Sequence, residues 1–232
     1  MKKSKKIKLY MDGPNFEQIR NIKNVDGYTF NPSLFKKLGA KDYISFAKSI
    51  LSEIKEKPVS IEVFADDENE CLKQALIISE LGKNVYVKIP ITYTNGSTTL
   101  KLIEKLVKKN INLNITAIFT LNQIKEILNP LKLTNNILSI FSGRIYDIGL
   151  DAKKIFKDIS TYVHSNSKCQ TLWASSRMPY DYISAEESHA DIITMPPEMI
   201  MKLKKFGKTS EEYSRETVKT FFSDAKSSGY KI

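Results

Sequence analysis

Lys88 stands inside the apolar run Val85-Tyr86-Val87-Lys88-Ile89-Pro90. The run has the length and composition of a buried strand, closed by Pro90. Side chains alternate across a strand, so Val85, Val87 and Ile89 share one face while Tyr86 and Lys88 share the other. An amine among buried residues is unfavourable unless it is paired or neutral. Burial favours the neutral amine, a nucleophile able to form an imine with a carbonyl compound. The plainer alternative is a strand-edge lysine whose ammonium reaches water along its own stem.

Other polar residues fall at the ends of apolar runs in the same way. The first run, Ile7–Met11, ends at Asp12, and the second, Gly27–Thr29, ends just before Asn31. Val59–Phe64 carries Glu62. Asn114–Phe119 carries Asn114 and Thr116 on one face. Asn136–Phe141 carries Ser139, with Arg144 in the turn beyond, and Thr171–Ala174 leads into Ser175 and Arg177. Each has an ordinary reading. Asp12 and Asn31 suit helix caps, Glu62 suits an ion pair, and Arg144 suits a pair with Asp147 or Asp151. Together they supply one amine, two carboxylates, two amides and two arginines. The arginine fork binds phosphate in a bidentate manner, which lysine cannot do.

The elements that must position these residues alternate along the chain. Eight strand candidates, the last at Asp191–Thr194, are each followed by a helical pattern. Ala40–Glu56 is one such helix, with Ile44, Ala47, Leu51 and Ile54 at helical spacing. Regular β-α alternation predicts a parallel sheet with right-handed crossovers. Eight units predict an α/β fold of the (β/α)8 TIM-barrel type, whose active sites lie at the C-terminal ends of the strands. An open doubly wound sheet is the alternative, but the turn after the first strand reads Asp12-Gly13-Pro14-Asn15 and lacks a glycine-rich phosphate signature. No linker interrupts the pattern. A single domain over residues 1–232 is expected, with a basic tail at 1–6 and a C-terminal helical segment over about 208–232.

Composition narrows the function classes. The chain has 232 residues, is 41% hydrophobic and 27% charged, and carries a net charge of +10. Its lysines are spread over the polar faces of predicted helices, with no arginine-aromatic stripe or recognition helix, so nucleic acid is not the expected partner. No apolar stretch approaches membrane-spanning length. The basic start precedes a segment too short and polar for a secretory signal, and cysteines are few, so a cytoplasmic location is expected. Cys71 and Cys169 form no metal-like spacing. His164 and His189 read as structural.

The residues named above resemble the transaldolase family, in particular its small single-barrel branch, which includes the fructose-6-phosphate aldolases. The matching stretches are Leu9-Tyr10-Met11-Asp12, Asn31-Pro32-Ser33, Val87-Lys88-Ile89-Pro90, Asn114 to Phe119 with Leu121-Asn122-Gln123, Gly143-Arg144 and Ala174-Ser175-Ser176-Arg177. The resemblance implies that Lys88 forms a Schiff base with a ketose. Asp12 would take the C4 hydroxyl proton, and Glu62 with Thr116 would hold a proton-shuttling water. Asn31 and Asn114 would bind the dihydroxyacetone unit, and Arg144, Arg177 and Ser175 the substrate phosphate. Ser139 and Phe141 would line the pocket. It further implies sugar phosphate substrates of the pentose phosphate pathway kind, no metal or cofactor, and a homo-oligomer of five subunits or two stacked fives. Phe221 and Phe222, on an otherwise polar helix, are candidate contacts.

Glu62 and Phe141 resemble the transaldolase members; the aldolases tend to carry glutamine and tyrosine there. The expected activity is transfer of dihydroxyacetone from a ketose phosphate to an aldose phosphate. The alternatives are an aldolase releasing dihydroxyacetone, an enzyme acting on a modified sugar such as a sulfonate, and a non-catalytic binding barrel. Four departures from the family pattern bear on substrate choice: Phe30 replaces a threonine, with its bulk expected close to the donor pocket, Ile140 replaces a proline, Ser142 replaces an aliphatic residue, and Gly13-Pro14 follow Asp12 in place of a threonine-rich turn.

Overall fold

The computed structural model describes residues 6–231. Of the expected basic tail, residues 1–5 lie outside the described residues. The elements run in the order β1 (Lys8–Asp12), α1 (Phe16–Asn21), β2 (Gly27–Thr29), α2 (Pro32–Lys37), α3 (Tyr43–Glu53), β3 (Val59–Glu62), α4 (Glu68–Ser79) and β4 (Val85–Pro90). There follow α5 (Leu100–Lys108), β5 (Leu113–Ile118), α6 (Leu121–Leu131), β6 (Ile137–Ile140), α7 (Ser142–Asp147) and α8 (Ala152–Asn166). The chain closes with β7 (Gln170–Trp173), α9 (Asp181–Glu187), β8 (Ile192–Met195), α10 (Pro197–Lys202) and α11 (Ser210–Ser228). Among the described residues, eight parallel strands pair in sequence order, and β8 returns to β1 to close the barrel. The expected (β/α)8 architecture with an extra C-terminal helix is therefore present.

Local chemistry sets where the helices start. Asn15 caps α1 in a box with Gln18, and Thr120 caps α6 in a box with Gln123. Asn31 accepts from the Leu34 backbone N–H, with Pro32 in the first helical turn. The short α7 has no such signal: its N-cap is Phe141, which makes no side-chain cap bond. This helix stands where the sequence pointed only to a turn.

Alternation along the strands sorts side chains between the barrel interior and the helical layer. Tyr10, Ile137, Leu172, Ala174 and Ile192 form one buried cluster, with Tyr86 packed against it. Gly27 is required there, because a Cβ on it would come within 2.6 Å of the Tyr10 ring. On the other face of β2 and just beyond it, Phe30 is fully buried, and its ring centroid lies 5.3 Å from that of Phe35. Phe35 in turn packs on Tyr43 and Phe46. The bulk of Phe30 therefore belongs to the layer between sheet and helices, and Thr29 is the residue of this pair that faces the barrel axis.

The chain divides after Ile200 into two compact units. The first is the barrel. In the second, Thr209 and Glu212 form a capping box that opens α11, and Gly229 in the left-handed region ends it. No helix among the described residues is long and apolar enough to cross a membrane.

Candidate active site

The register of the strands brings the polar residues of neighbouring strands side by side. Glu62 pairs with Lys88, Lys88 with Asn114, and Pro90 with Thr116. Lys88 is 6% exposed, and its Nζ lies 2.9 Å from Glu62 Oε2. The ammonium also stands 5.9 Å from the centre of the Phe141 ring. A buried amine thus has one carboxylate contact and one aromatic face.

Asp12 ends β1 at the same level. The Thr29 hydroxyl donates to Asp12 Oδ1 at 2.6 Å and lies 2.6 Å from the Thr194 hydroxyl. Enclosure pushes the Asp12 carboxyl above the usual carboxylate range. The Thr29 hydrogen bond and the charge of Lys88 act in the opposite direction, and the charges of Glu62 and Glu198 reinforce the rise. A carboxyl with this balance is a better proton acceptor than an ordinary aspartate.

Asn114 is fully buried, and both ends of its amide are held. Its Nδ2 donates to Ser60 Oγ at 2.9 Å, and Ser139 Oγ donates to its Oδ1 at 2.7 Å. Ser60 and Ser139 thereby hold the amide from two other strands. Thr116 is 1% exposed, and its hydroxyl has no hydrogen-bond partner among the described residues. A bulge follows it in β5, with Ala117 in the left-handed region.

A cleft of about 220 Å³ opens at the C-terminal ends of the strands. Asp12, Asn31, Lys88, Ser139, Phe141, Arg144, Ser175 and Arg177 line it. Glu62, Asn114 and Thr116 do not. Glu62 lines a neighbouring cleft of about 370 Å³ with Pro32, Phe64 and Tyr93, while Asn114 and Thr116 stand on the next strand, beside Lys88 and Pro90. A third hollow, of about 340 Å³, lies where Ile7 and Asp191 lead into β1 and β8, at the opposite end of the barrel. There His164 Nε2 stands 2.7 Å from Asp191 Oδ2, and Asp191 also accepts from the Thr171 N–H. That arrangement ties α8 to the foot of β7 and β8.

Two arginines reach the cleft from different elements. Arg144 lies on α7, with its guanidinium 5.5 Å from the centre of the Phe141 ring. Arg177 lies in the loop after β7 and pairs with Asp147, the acid that the sequence offered to Arg144. Asn31 does two things: its Oδ1 caps α2 while the residue lines the cleft. Thr29, Thr194, Ser60 and Ser176 belong to the site, although single-residue signals did not single them out. For Thr29 and Ser60 a signal existed, since each shares strand parity with a marked neighbour. Thr194 and Ser176 are marked only by their contacts.

These features define an enzyme-like barrel mouth built around one buried amine, two carboxylates and an arginine pair. The model of the family "Transaldolase/Fructose-6-phosphate aldolase" matches residues 9–232. A "Probable transaldolase" of Thermoplasma volcanium is 36% identical over 215 residues, covering 90% of this chain and 93% of the relative. A "Probable transaldolase" of Thermoanaerobacter sp. is 32% identical over 230 residues, covering 97% of this chain and all of the relative. Among solved structures, the N-acetylneuraminate lyase of Mycoplasma synoviae aligns with a TM-score of 0.54 at 13% identity, over 92% of this chain and 75% of that one. Thiamine phosphate pyrophosphorylase of Pyrococcus furiosus also aligns with a TM-score of 0.54 at 13% identity, over 82% and 86%. These two likenesses speak to the fold alone. The chain belongs to the transaldolase/fructose-6-phosphate aldolase family.

Proposed function

We propose that this protein is a transaldolase that moves a dihydroxyacetone unit from a ketose phosphate to an aldose phosphate through a Schiff base on Lys88. The observation that carries this reading is the Lys88 amine, buried 2.9 Å from Glu62 in the barrel mouth that also holds Asp12 and two arginines. The amine attacks the ketone carbon, and loss of water gives a protonated imine. Glu62, 2.9 Å away, would take the proton that Lys88 gives up before its amine attacks. Together with the unpartnered Thr116 hydroxyl it would hold the water that carries protons between amine and carbinolamine. Asp12 then takes the C4 hydroxyl proton, the C3–C4 bond breaks, and its electron pair moves into the imine to give an enamine. An aldose phosphate leaves. The enamine attacks the carbonyl of the incoming aldose, Asp12 returns its proton, and hydrolysis frees Lys88.

Asn31 and Asn114 are assigned to hydroxyls of the three-carbon unit, and Ser139 holds Asn114 for that task. Arg144, Arg177 and Ser175 are assigned to the phosphate, where planar forks meet a dianion. Phe141 faces both Lys88 and Arg144, and the resemblance of Phe141 and Glu62 to the transaldolase members supports transfer rather than release of the enamine. The proposal extends to a single domain over the whole chain, a cytoplasmic enzyme and a homo-oligomer of five or ten subunits.

Mass spectrometry after mixing with fructose 6-phosphate and borohydride tests the covalent step. A reduced three-carbon adduct on Lys88, absent in Lys88→Ala, is the expected result. An adduct that survives in Lys88→Ala, or no adduct with any ketose phosphate, would overturn it. Steady release of dihydroxyacetone without an acceptor would favour the aldolase instead.

A further inference from the structure

The α7 helix carries two charges that serve the same cleft. Arg144 and Asp147 are three residues apart, so they lie on one side of the helix a turn apart. Arg144 reaches the cleft directly. Asp147 instead reaches across to Arg177: Nε donates to Asp147 Oδ1 at 3.2 Å, and Nη2 donates to Oδ2.

This pair uses one edge of the guanidinium. A guanidinium carries five N–H donors, and Asp147 takes two of them. Nη1 and the second Nη2 proton form the other edge, and Arg177 lines the cleft. The backbone of the same loop is already fixed by other means. The buried Asp181 carboxylate accepts from the Arg177 N–H at 2.6 Å and from the Met178 N–H at 3.1 Å. Ser176 donates to the Thr194 carbonyl at 2.8 Å. What remains loose is the long Arg177 side chain, and Asp147 is the group that orients it.

The helix can deliver Asp147 to this place because of Gly143. A Cβ there would lie 1.7 Å from the Ser175 carbonyl oxygen and 3.0 Å from Arg177 Cγ. The backbone of α7 therefore rests directly on the loop that carries Ser175 and Arg177. The Asp147–Arg177 pair is about half exposed on both sides, and exposed pairs contribute little to folding. Its bidentate geometry at the rim of the cleft points to orientation rather than stability.

We propose that Asp147 is a positioning residue for the anion site: it holds one edge of the Arg177 guanidinium so that the other edge meets the acid group of the substrate beside Arg144. This inference rests on reading the cleft as the site of a phosphorylated ketose. It adds a requirement that neither arginine reveals alone, since a carboxylate is part of a site for anions.

Two measurements on the full-length protein test it. In calorimetric titration with inorganic phosphate, Asp147→Asn and Arg177→Ala should each weaken binding by about tenfold, and the double variant no further. In the borohydride assay, Asp147→Asn should raise the half-saturating concentration of fructose 6-phosphate. The maximal trapping rate, and trapping with unphosphorylated fructose, should change far less. Phosphate binding by Asp147→Asn as tight as in the parent, or tighter, would overturn the inference. So would effects that add in the double variant, or no phosphate binding by the parent protein. Failure of the parent to form an adduct while the phosphate results hold would remove the imine chemistry alone and leave Asp147 in its role.

Discussion

At Asp12 a carboxylate is enclosed at the mouth of the barrel with Thr29 as its hydrogen-bond donor. Burial raises its proton affinity in the folded chain, with Glu62 and Glu198 adding to the rise. In the unfolded chain the group ionises normally. The folded state therefore holds the proton more tightly, and the stability it gains from Asp12 is lost as pH rises through the folded value. Asp12→Asn should raise the melting temperature at neutral pH while lowering kcat by about 10²-fold or more. Thermal unfolding and turnover of the same preparation check both halves; a variant that loses stability as well would contradict the assigned balance. In the parent enzyme, activity should fall on acidification at a pH above the ordinary aspartate range. That limb should be missing from the residual activity of Asp12→Asn.

The elements matter here through what each one lets approach. Gly143 permits contact between α7 and the loop after β7, and the obstacle to any larger residue is a backbone carbonyl with no freedom to turn away. Gly143→Ala should cost about 1–3 kcal/mol of stability. It should also reduce kcat/KM for phosphorylated donors more than for unphosphorylated ones, because Arg144 and Asp147 move with the helix. Denaturant midpoints and paired kinetics on the two donors are the measurements, and an unchanged ratio between the donors would detach α7 from the anion site. Strand parity was readable in advance: Glu62, Lys88 and Asn114 stand on the predicted face, and their register sets them in one row. The helix α7 was not readable. Six residues with no capping side chain offer too little periodicity to separate a helix from a turn. Phe30 stands apart from the expected donor pocket because its strand parity sends the ring outward to Phe35.

On the scale of the whole molecule, the barrel and the C-terminal unit present different surfaces. Along α11, Val218, Phe221 and Phe222 fall at helical spacing on one face, and all are exposed. If the proposed homo-oligomer uses this stripe, replacing Phe221 and Phe222 by serine should lower the mass seen by light scattering while the circular dichroism of the barrel persists. A mass unchanged from the parent would exclude the stripe as the contact.

The alternation of strands and helices, the closure of eight units and the strand faces that Lys88, Glu62 and Asn114 share were contained in the chain's one-dimensional pattern. Periodicity is local, and the rule placing polar residues at strand ends needs no knowledge of neighbours. Partner choice is not local. Asp147 stands three residues from Arg144 yet binds Arg177, thirty positions away. Ser60 and Ser139 clamp Asn114 from two other strands. Thr29 reaches Asp12 and Thr194 across the barrel's closing seam. Only packing decides which of several chemically equivalent partners lies within 3 Å. Hydrogen bonds weaken steeply beyond about that distance, so the tertiary structure alone assigned them.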